Sequence, residues 1–440
     1  MGASELTESY SKGPQEPPLI TDKTLGELFD AACGTGGVSQ ALAFPDENVE
    51  FLFSQLKQEV YKVAAALTSL GLKAGDHVGL WGGNHSRLIL TLYACARLGL
   101  VFTGFGHLLP ADHLKKQLQQ TNCKALFCFP TVKPGHCFEL LKTVCPAIEE
   151  TPLGNAPSND LPQLVKIVVD EEQNYAGTYC FSELLNGVSD VDVQSVVQSK
   201  PPGTANDAAC IQFTSGTSGD PRPVLLSHYQ LINSCLVAGT RLYLNHASEI
   251  LCCPMPVFRG PVMCLACFAT IVFRIKVVYP APMPLPPAIF KAIQDYKCTA
   301  ILFNPIAFGM MLRLQVVENF KISSLSSVCL GGEHTPADLI DTMQKKTEVK
   351  DVMSGLFLTE AGCMPLAFPT DGDPKKLIEA QGIAAPHYEV KVADSSGKPV
   401  AIGKWGELWI KPVGGSAFLG YYKDEEANKE FKKDEWIVSG

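Results

Sequence analysis

Nothing in these 440 residues supplies the cationic surface that nucleic acid demands. The net charge is −9, and the 36 lysines and arginines are scattered, with no basic stripe, which argues against a phosphate-backbone binder. Long apolar runs are also missing. The most apolar stretch, Gly260 to Phe273, is bounded by Arg259 and Arg274. It is too short to span a bilayer and is expected as a buried helix or strand. Zinc-ligand spacing does not occur: the one Cys-x-x-Cys, Cys264 to Cys267, sits in an apolar run with no second ligand pair. The 16 cysteines are therefore expected as buried free thiols, which implies a reducing compartment. Residues 1–20 hold Glu5, Glu8 and Glu16 but no arginine, so neither a signal peptide nor a mitochondrial presequence is legible. No Ser-His-Asp or Cys-His arrangement, internal repeat or low-complexity tract is found.

What is present reads as a layered α/β enzyme. An apolar content of 46% is ordinary for a globular chain, and the length calls for two or three subdomains. Leu56, Val60, Val63, Leu67 and Leu70 fall at helical spacing, with Ser54 as N-cap and Gly71 as stop. A strand over His77–Trp81, a helix over Ser86–Leu98, a strand near Leu100–Thr103, a helix over Ala111–Gln120 and a strand over Lys124–Phe129 continue the alternation. That pattern predicts mixed, largely parallel sheets. Leu164–Val169 and Ala300–Phe303 read as buried strands. Thr151–Pro162 and Asn186–Asp207 read as surface connections. A strand over Ile271–Tyr279 and an extended proline segment over Pro280–Pro287 lead to a helix over Ala288–Tyr296. From about Ile383 short alternating strands, Glu389–Val392 and Glu407–Ile410, predict a small barrel-like β subdomain. The expected organisation is a flexible arm over 1–20, an α/β region over 21–385 with an internal boundary near 200, and a β-rich unit over 386–440.

The chemistry concentrates in Phe213-Thr-Ser-Gly-Thr-Ser-Gly-Asp-Pro-Arg-Pro-Val224. An apolar strand, Ala208 to Phe213, runs into the small residues Thr214, Ser215, Gly216, Thr217, Ser218 and Gly219, and Arg222 follows. Glycines let backbone N–H groups approach a polyanion. The hydroxyls add donors, and Arg222 adds a charge-assisted one. This is a phosphate cradle. It is not the common P-loop, because no Gly-Lys-Ser/Thr leads into a helix.

The stretch, with Ser227-His228, resembles the signature of the adenylate-forming superfamily. Arg222 stands where that family usually has Lys, and Pro223 where it has Gly. The resemblance extends through Leu70–Val78 with Asn84, Val257-Phe258-Arg259, Gly331-Gly332-Glu333, Leu356-Phe-Leu-Thr-Glu360 and Gly406–Trp409 to Gly420-Tyr-Tyr422. It is nearest by eye to the medium-chain acyl-CoA ligase branch. It implies ATP with Mg²⁺ and coenzyme A as co-substrate. The partner it implies is a small carboxylic acid, a fatty acid, with no nucleic acid and no membrane span. Glu360 would hold the metal. Thr214, Arg222 and Thr359 would meet phosphate, and Gly331, Gly332, Glu333 and Leu356 would lie about the adenine. His228 and Arg259 would lie by the acid, although from the residues alone His228 reads first as structural and Arg259 equally as a fold-stabilising salt bridge. Leu356 stands where the family stacks a Tyr, and Phe357 where it has Gly.

The resemblance also implies a mobile C-terminal domain after Gly440 that carries a catalytic lysine, so the 440 residues alone are expected to be impaired. Three functions follow: a fatty-acid:CoA ligase, a non-catalytic nucleotide- or acyl-binding relative, or an adenylating enzyme with another acceptor. The branch implies mitochondria, while the visible N-terminus fits cytoplasm.

Overall fold

The computed structural model describes residues 7–214, 221–246, 248–314, 318–333, 335, 337–362, 364–367, 382–412 and 418–439. Two large sheets carry the chain. One has eight strands in the spatial order Gly420–Tyr421, Pro223–Ser227, Ala208–Phe213, Val101–Gly106, His77–Gly82, Ala125–Phe129, Lys166–Val169, Tyr179–Cys180. The other has nine: Ile383–Ala384, Leu366–Ala367, Asp351–Leu356, Ser327–Gly331, Ala300–Phe303, Ile250–Cys252, Lys276–Val278, Gln40–Phe44, Val49–Leu52. Pairing is parallel in the middle of each; both margins of the nine-stranded sheet are antiparallel, as is the Gly420–Tyr421 margin of the eight-stranded one, while its Tyr179–Cys180 margin is parallel. Parallel strands need both faces covered, and the continuous apolar run Ala125–Phe129, buried at every position, meets that need.

Local chemistry explains the elements. Leu56, Val60, Val63 and Leu67 are buried on one face of the helix Phe53–Ser69. Its start lies one residue before the expected cap. The preceding strand runs straight in, and the Gln55 side-chain Oε1 accepts the Leu52 N–H at 2.9 Å. Gly71, at φ 78°, ends the helix, a conformation that glycine adopts without steric cost.

Several expectations are corrected. Residues 1–20 do not form a loose arm throughout, because Tyr10–Lys12 pairs antiparallel with Glu389–Ala393 and the Tyr10 hydroxyl donates to Glu389 at 2.6 Å. With Glu407–Lys411, Trp436–Val438 and Lys432–Lys433 these strands make a five-stranded antiparallel sheet. The chain does not divide near 200. The eight-stranded sheet crosses that point, and the nine-stranded sheet takes Gln40–Leu52 from far upstream. Gly420–Tyr421 leaves the β-rich end to extend the eight-stranded sheet. Gly260–Phe273 is helical, with a wider π-type turn over Met263–Cys267, so the following strand is only Lys276–Val278. Asp190–Gln198 is a helix inside a stretch read as a connection, begun by a Ser189 cap and its reciprocal Asp192 contact. All 15 described cysteines are buried and free of disulfides. No helix among the described residues is long and apolar enough to cross a membrane.

One buried side chain joins the two sheets. Asn84 follows the strand His77–Gly82, and its amide donates to the Met255 carbonyl at 2.9 Å while its oxygen accepts the Val257 N–H at 3.0 Å. This fixes the segment after Ile250–Cys252. Asn84→Leu would strand two buried backbone groups, each costing about 1–3 kcal/mol. Urea denaturation should show a loss of at least one such increment, and an unchanged midpoint would contradict the brace.

Candidate active site

A cleft of about 710 Å³ opens where parallel strands of both sheets end. Ligands of open α/β sheets sit at the carboxyl ends of strands, and the lining residues come from that side. Thr214 follows Ala208–Phe213, and Gly331 and Gly332 end Ser327–Gly331. Asn304 follows Ala300–Phe303, and Thr359 and Glu360 follow Asp351–Leu356. Arg259 caps the helix that begins at Gly260 and also faces the cleft. Six residues singled out from sequence therefore share one cavity: Thr214, Arg259, Gly331, Gly332, Thr359 and Glu360.

Glu360 is 7% exposed. Its Oε1 accepts from the Tyr421 hydroxyl at 2.8 Å, and its backbone carbonyl accepts from the Gln230 amide at 2.8 Å. Oε2 has no hydrogen-bond partner among the described residues. Burial raises the Glu360 pKa above its usual value, opposed by the Tyr421 hydrogen bond and the Arg222 charge. Tyr421 is itself held by Asn428, whose side-chain oxygen accepts its N–H at 2.7 Å and whose amide donates to its carbonyl at 2.9 Å.

Arg222 lies beside this carboxylate and does not line the cleft. Its guanidinium sits 4.6 Å from the Phe431 ring centroid and 5.8 Å from that of Tyr421, the geometry of a cation on aromatic faces. Thr214 and Arg222 are joined by the Thr214 N–H donating to the Arg222 carbonyl at 3.1 Å. Ser215, Gly216, Thr217, Ser218 and Gly219 lie outside the described residues. Both residues that flank the undescribed stretch, Thr214 and Pro221, line the cleft.

Three more predicted residues do not line it. His228 is buried at the start of the helix His228–Arg241, and its Nδ1 accepts the Leu25 N–H at 3.2 Å. Leu356 pairs with Leu366, and Glu333 is exposed. The expected adenine turn is also altered. A Cβ built on Gly331 would fall 2.4 Å from the Phe357 ring, so that ring lies flat on the glycine.

Sequence reasoning gave no role to Tyr421, Gln230, Phe258 and Phe431. Tyr421 carried a signal in the Gly-Tyr-Tyr run and Phe258 one in Val257-Phe258-Arg259, without a role attached. Gln230 and Phe431 are brought in only by tertiary packing. No cluster of three or more His, Cys, Asp or Glu side chains among the described residues could cage a metal ion. A single carboxylate with an unpartnered buried oxygen suits Mg²⁺, which takes one or two carboxylates and fills its shell with phosphate and water oxygens.

A two-sheet α/β body with this cleft defines a class, and the chain belongs to the AMP-binding enzyme family, whose model matches residues 29–422. Among relatives, it is 28% identical to the mitochondrial medium-chain acyl-CoA ligase ACSF2 of Danio rerio, over 99% of this chain and 72% of that protein. It is 29% identical to the acyl-CoA ligase sidI of Aspergillus fumigatus, over 97% of this chain and 72% of that protein. The fold is that of the luciferase-like enzyme of Zophobas morio, with TM-score 0.81, 20% identity and coverage of 98% of this chain and 95% of that one. It is equally that of the anthranilate CoA ligase AuaEII, with TM-score 0.83, 20% identity and coverage of 96% and 76%.

Two pH effects follow. The raised Glu360 pKa means the folded state keeps its proton above the usual value near 4.5. The associated stability is present below that value and is lost as pH rises through the raised one. Glu360→Gln should therefore gain on the wild type as pH rises from weakly acid to neutral in chelator. Parallel urea curves that keep a constant offset would refute this. His228 runs the other way: burial lowers its pKa from 6.5 to about 4. Stability is lost as pH falls through that window, on the order of 3 kcal/mol. His228→Gln, which keeps an acceptor for Leu25, should flatten the curve there, and an unchanged slope would count against it.

Proposed function

We propose that this chain activates a carboxylic acid, a fatty acid, with ATP and passes the acyl group to coenzyme A. The carboxylate oxygen attacks the α-phosphorus, and the bond to pyrophosphate breaks. The thiol sulfur then attacks the acyl carbon and AMP leaves. The observation that carries this reading is the convergence of Thr214, Arg259, Thr359 and the half-satisfied Glu360 in one cleft. Family membership and the names of the relatives support it.

In this reading Arg259, which is exposed and has no carboxylate partner among the described residues, receives the acid. Its planar fork suits a carboxylate. The hydroxyls of Thr214 and Thr359 donate to phosphate oxygens. Glu360, aligned by Tyr421, holds Mg²⁺, which when bound neutralises phosphate charge. Arg222 adds a fixed positive charge beside it. Catalysis is then positioning and electrostatics, and no side chain is a nucleophile. We place the work in a reducing compartment, in keeping with the buried free thiols, and in mitochondria by similarity to the named vertebrate ligases. For the organisation along the chain we propose an α/β body built from both large sheets and a β-rich unit closing over it.

Phe357 favours a second reading. Its ring covers the glycine at which the nucleotide base would rest, as it would in a relative that binds an acid without turning over ATP.

ATP–pyrophosphate exchange over a panel of fatty acids, followed by thioester formation on adding coenzyme A, separates the two. The ligase reading expects exchange that Glu360→Gln lowers by about 10²–10³-fold. Background exchange with every acid, combined with nucleotide binding that appears only in Phe357→Gly, would establish the second reading and remove the first.

A further inference from the structure

Behind one wall of the cleft lies a second, separate void. It is lined by Leu80, Leu88, Leu92, Phe102, Val257 and Met263, together with Gly104 and Phe258. Its free volume is only about 10 Å³, room for about one water. Every side chain on it is apolar, so nothing would hold a water there. It is a dry pouch between the helix Ser86–Leu98, the strands His77–Gly82 and Val101–Gly106, and the segment braced by Asn84.

Gly104 and Phe258 line both the pouch and the cleft, so the partition runs through them. Gly104 and Gly106 share one face of their strand, as residues two apart do. A Cβ at Gly104 would come within 2.9 Å of the Phe258 Cα, and one at Gly106 within 3.1 Å of its ring. The phenyl group therefore rests on bare backbone. His107 meets it edge-on at 6.2 Å between centroids. A ring seated on glycines has no side chains interlocking with it on that face, so it is cheaper to move than one packed on all sides. It is only half-buried, while Val257 before it is fully buried. Arg259, the residue proposed to take the carboxylate, follows directly in the chain.

We propose that Phe258 is a specificity-determining residue: it closes the apolar pouch off from the cleft and so sets the longest alkyl tail the site accepts. This rests on the carboxylic-acid reading above. A tail short enough to end at the ring is accommodated as the site stands. A longer one must displace the ring into the cleft and continue between Leu88, Leu92 and Met263. Alkyl carbons suit that space because they need no hydrogen bonds and restore the dispersion contacts that the void lacks.

The test is calorimetric binding to the full 440-residue chain of hexanoate, decanoate and the uncharged decanol, for wild type, Phe258→Ala and Phe258→Leu. The alanine variant should bind decanoate and decanol more tightly by about tenfold, the gain from burying roughly two more methylenes. Hexanoate should be unaffected, and the leucine variant should fall between. Leucine keeps most of the apolar volume and carries the comparison if the alanine variant does not fold. Unchanged decanol and decanoate affinities in a folded variant overturn the partition. Tighter decanol with decanoate binding no better than decanol in any form upholds the partition and instead sinks the carboxylic-acid reading.

Discussion

A carboxylate removed from water must be given back hydrogen bonds or charge, and Glu360 receives only half of what it needs from the described residues. Tyr421 satisfies one oxygen. The other is buried and unpartnered among those residues. An unsatisfied buried acceptor costs on the order of 1–3 kcal/mol, and more for a charged group. The surroundings are built to hold the arrangement despite that cost. Asn428 locks the Tyr421 backbone, the short strand Gly420–Tyr421 is hydrogen-bonded to Val224 and Leu225, and Gln230 holds the Glu360 main chain. The carboxylate is thus placed by three separate parts of the sequence and left open on the side where a cation would complete it.

Arg222 belongs to the same construction. A guanidinium between Phe431 and Tyr421 keeps its charge near Glu360 without a direct ion pair, which would have closed the open oxygen. Aromatic faces attract a cation without pairing its charge. In the proposed reading this would leave the cation available to phosphate.

Much of this was legible in the amino-acid order, and the limits have physical causes. Helix Ser86–Leu98 and strands Ala208–Phe213 and Ala300–Phe303 stand where their spacing puts them, because strong local periodicity survives folding. The strand expected over Ile271–Tyr279 is present only as Lys276–Val278; Ile271–Phe273 closes the preceding helix instead, because a β-branched run suits either a buried strand or a buried helix and packing against His228–Arg241 decided for helix there. The N-terminal arm was misread because the pairing of Tyr10–Lys12 is purely tertiary. In the site, motif spacing located Thr214, Arg259, Thr359 and Glu360. It could not locate Tyr421 as their support, nor Phe357 folded over Gly331, since both depend on contacts between distant segments. His228 carried a motif signal, yet its ring is engaged by Leu25.

The strand Tyr10–Lys12 also bears on how the protein is made. Its hydrogen-bonded partner Glu389 lies 379 residues further along. At ribosomal speeds of about 5–20 residues per second, the interval between the two leaving the ribosome is on the order of tens of seconds to about a minute. Through that time the early segment has an open edge and no template, so it must wait unpaired while both large sheets assemble. Gln40–Phe44, which waits for Lys276–Val278, faces the same delay on a shorter scale. The earliest strand is therefore fastened only once Glu389–Ala393 has been made.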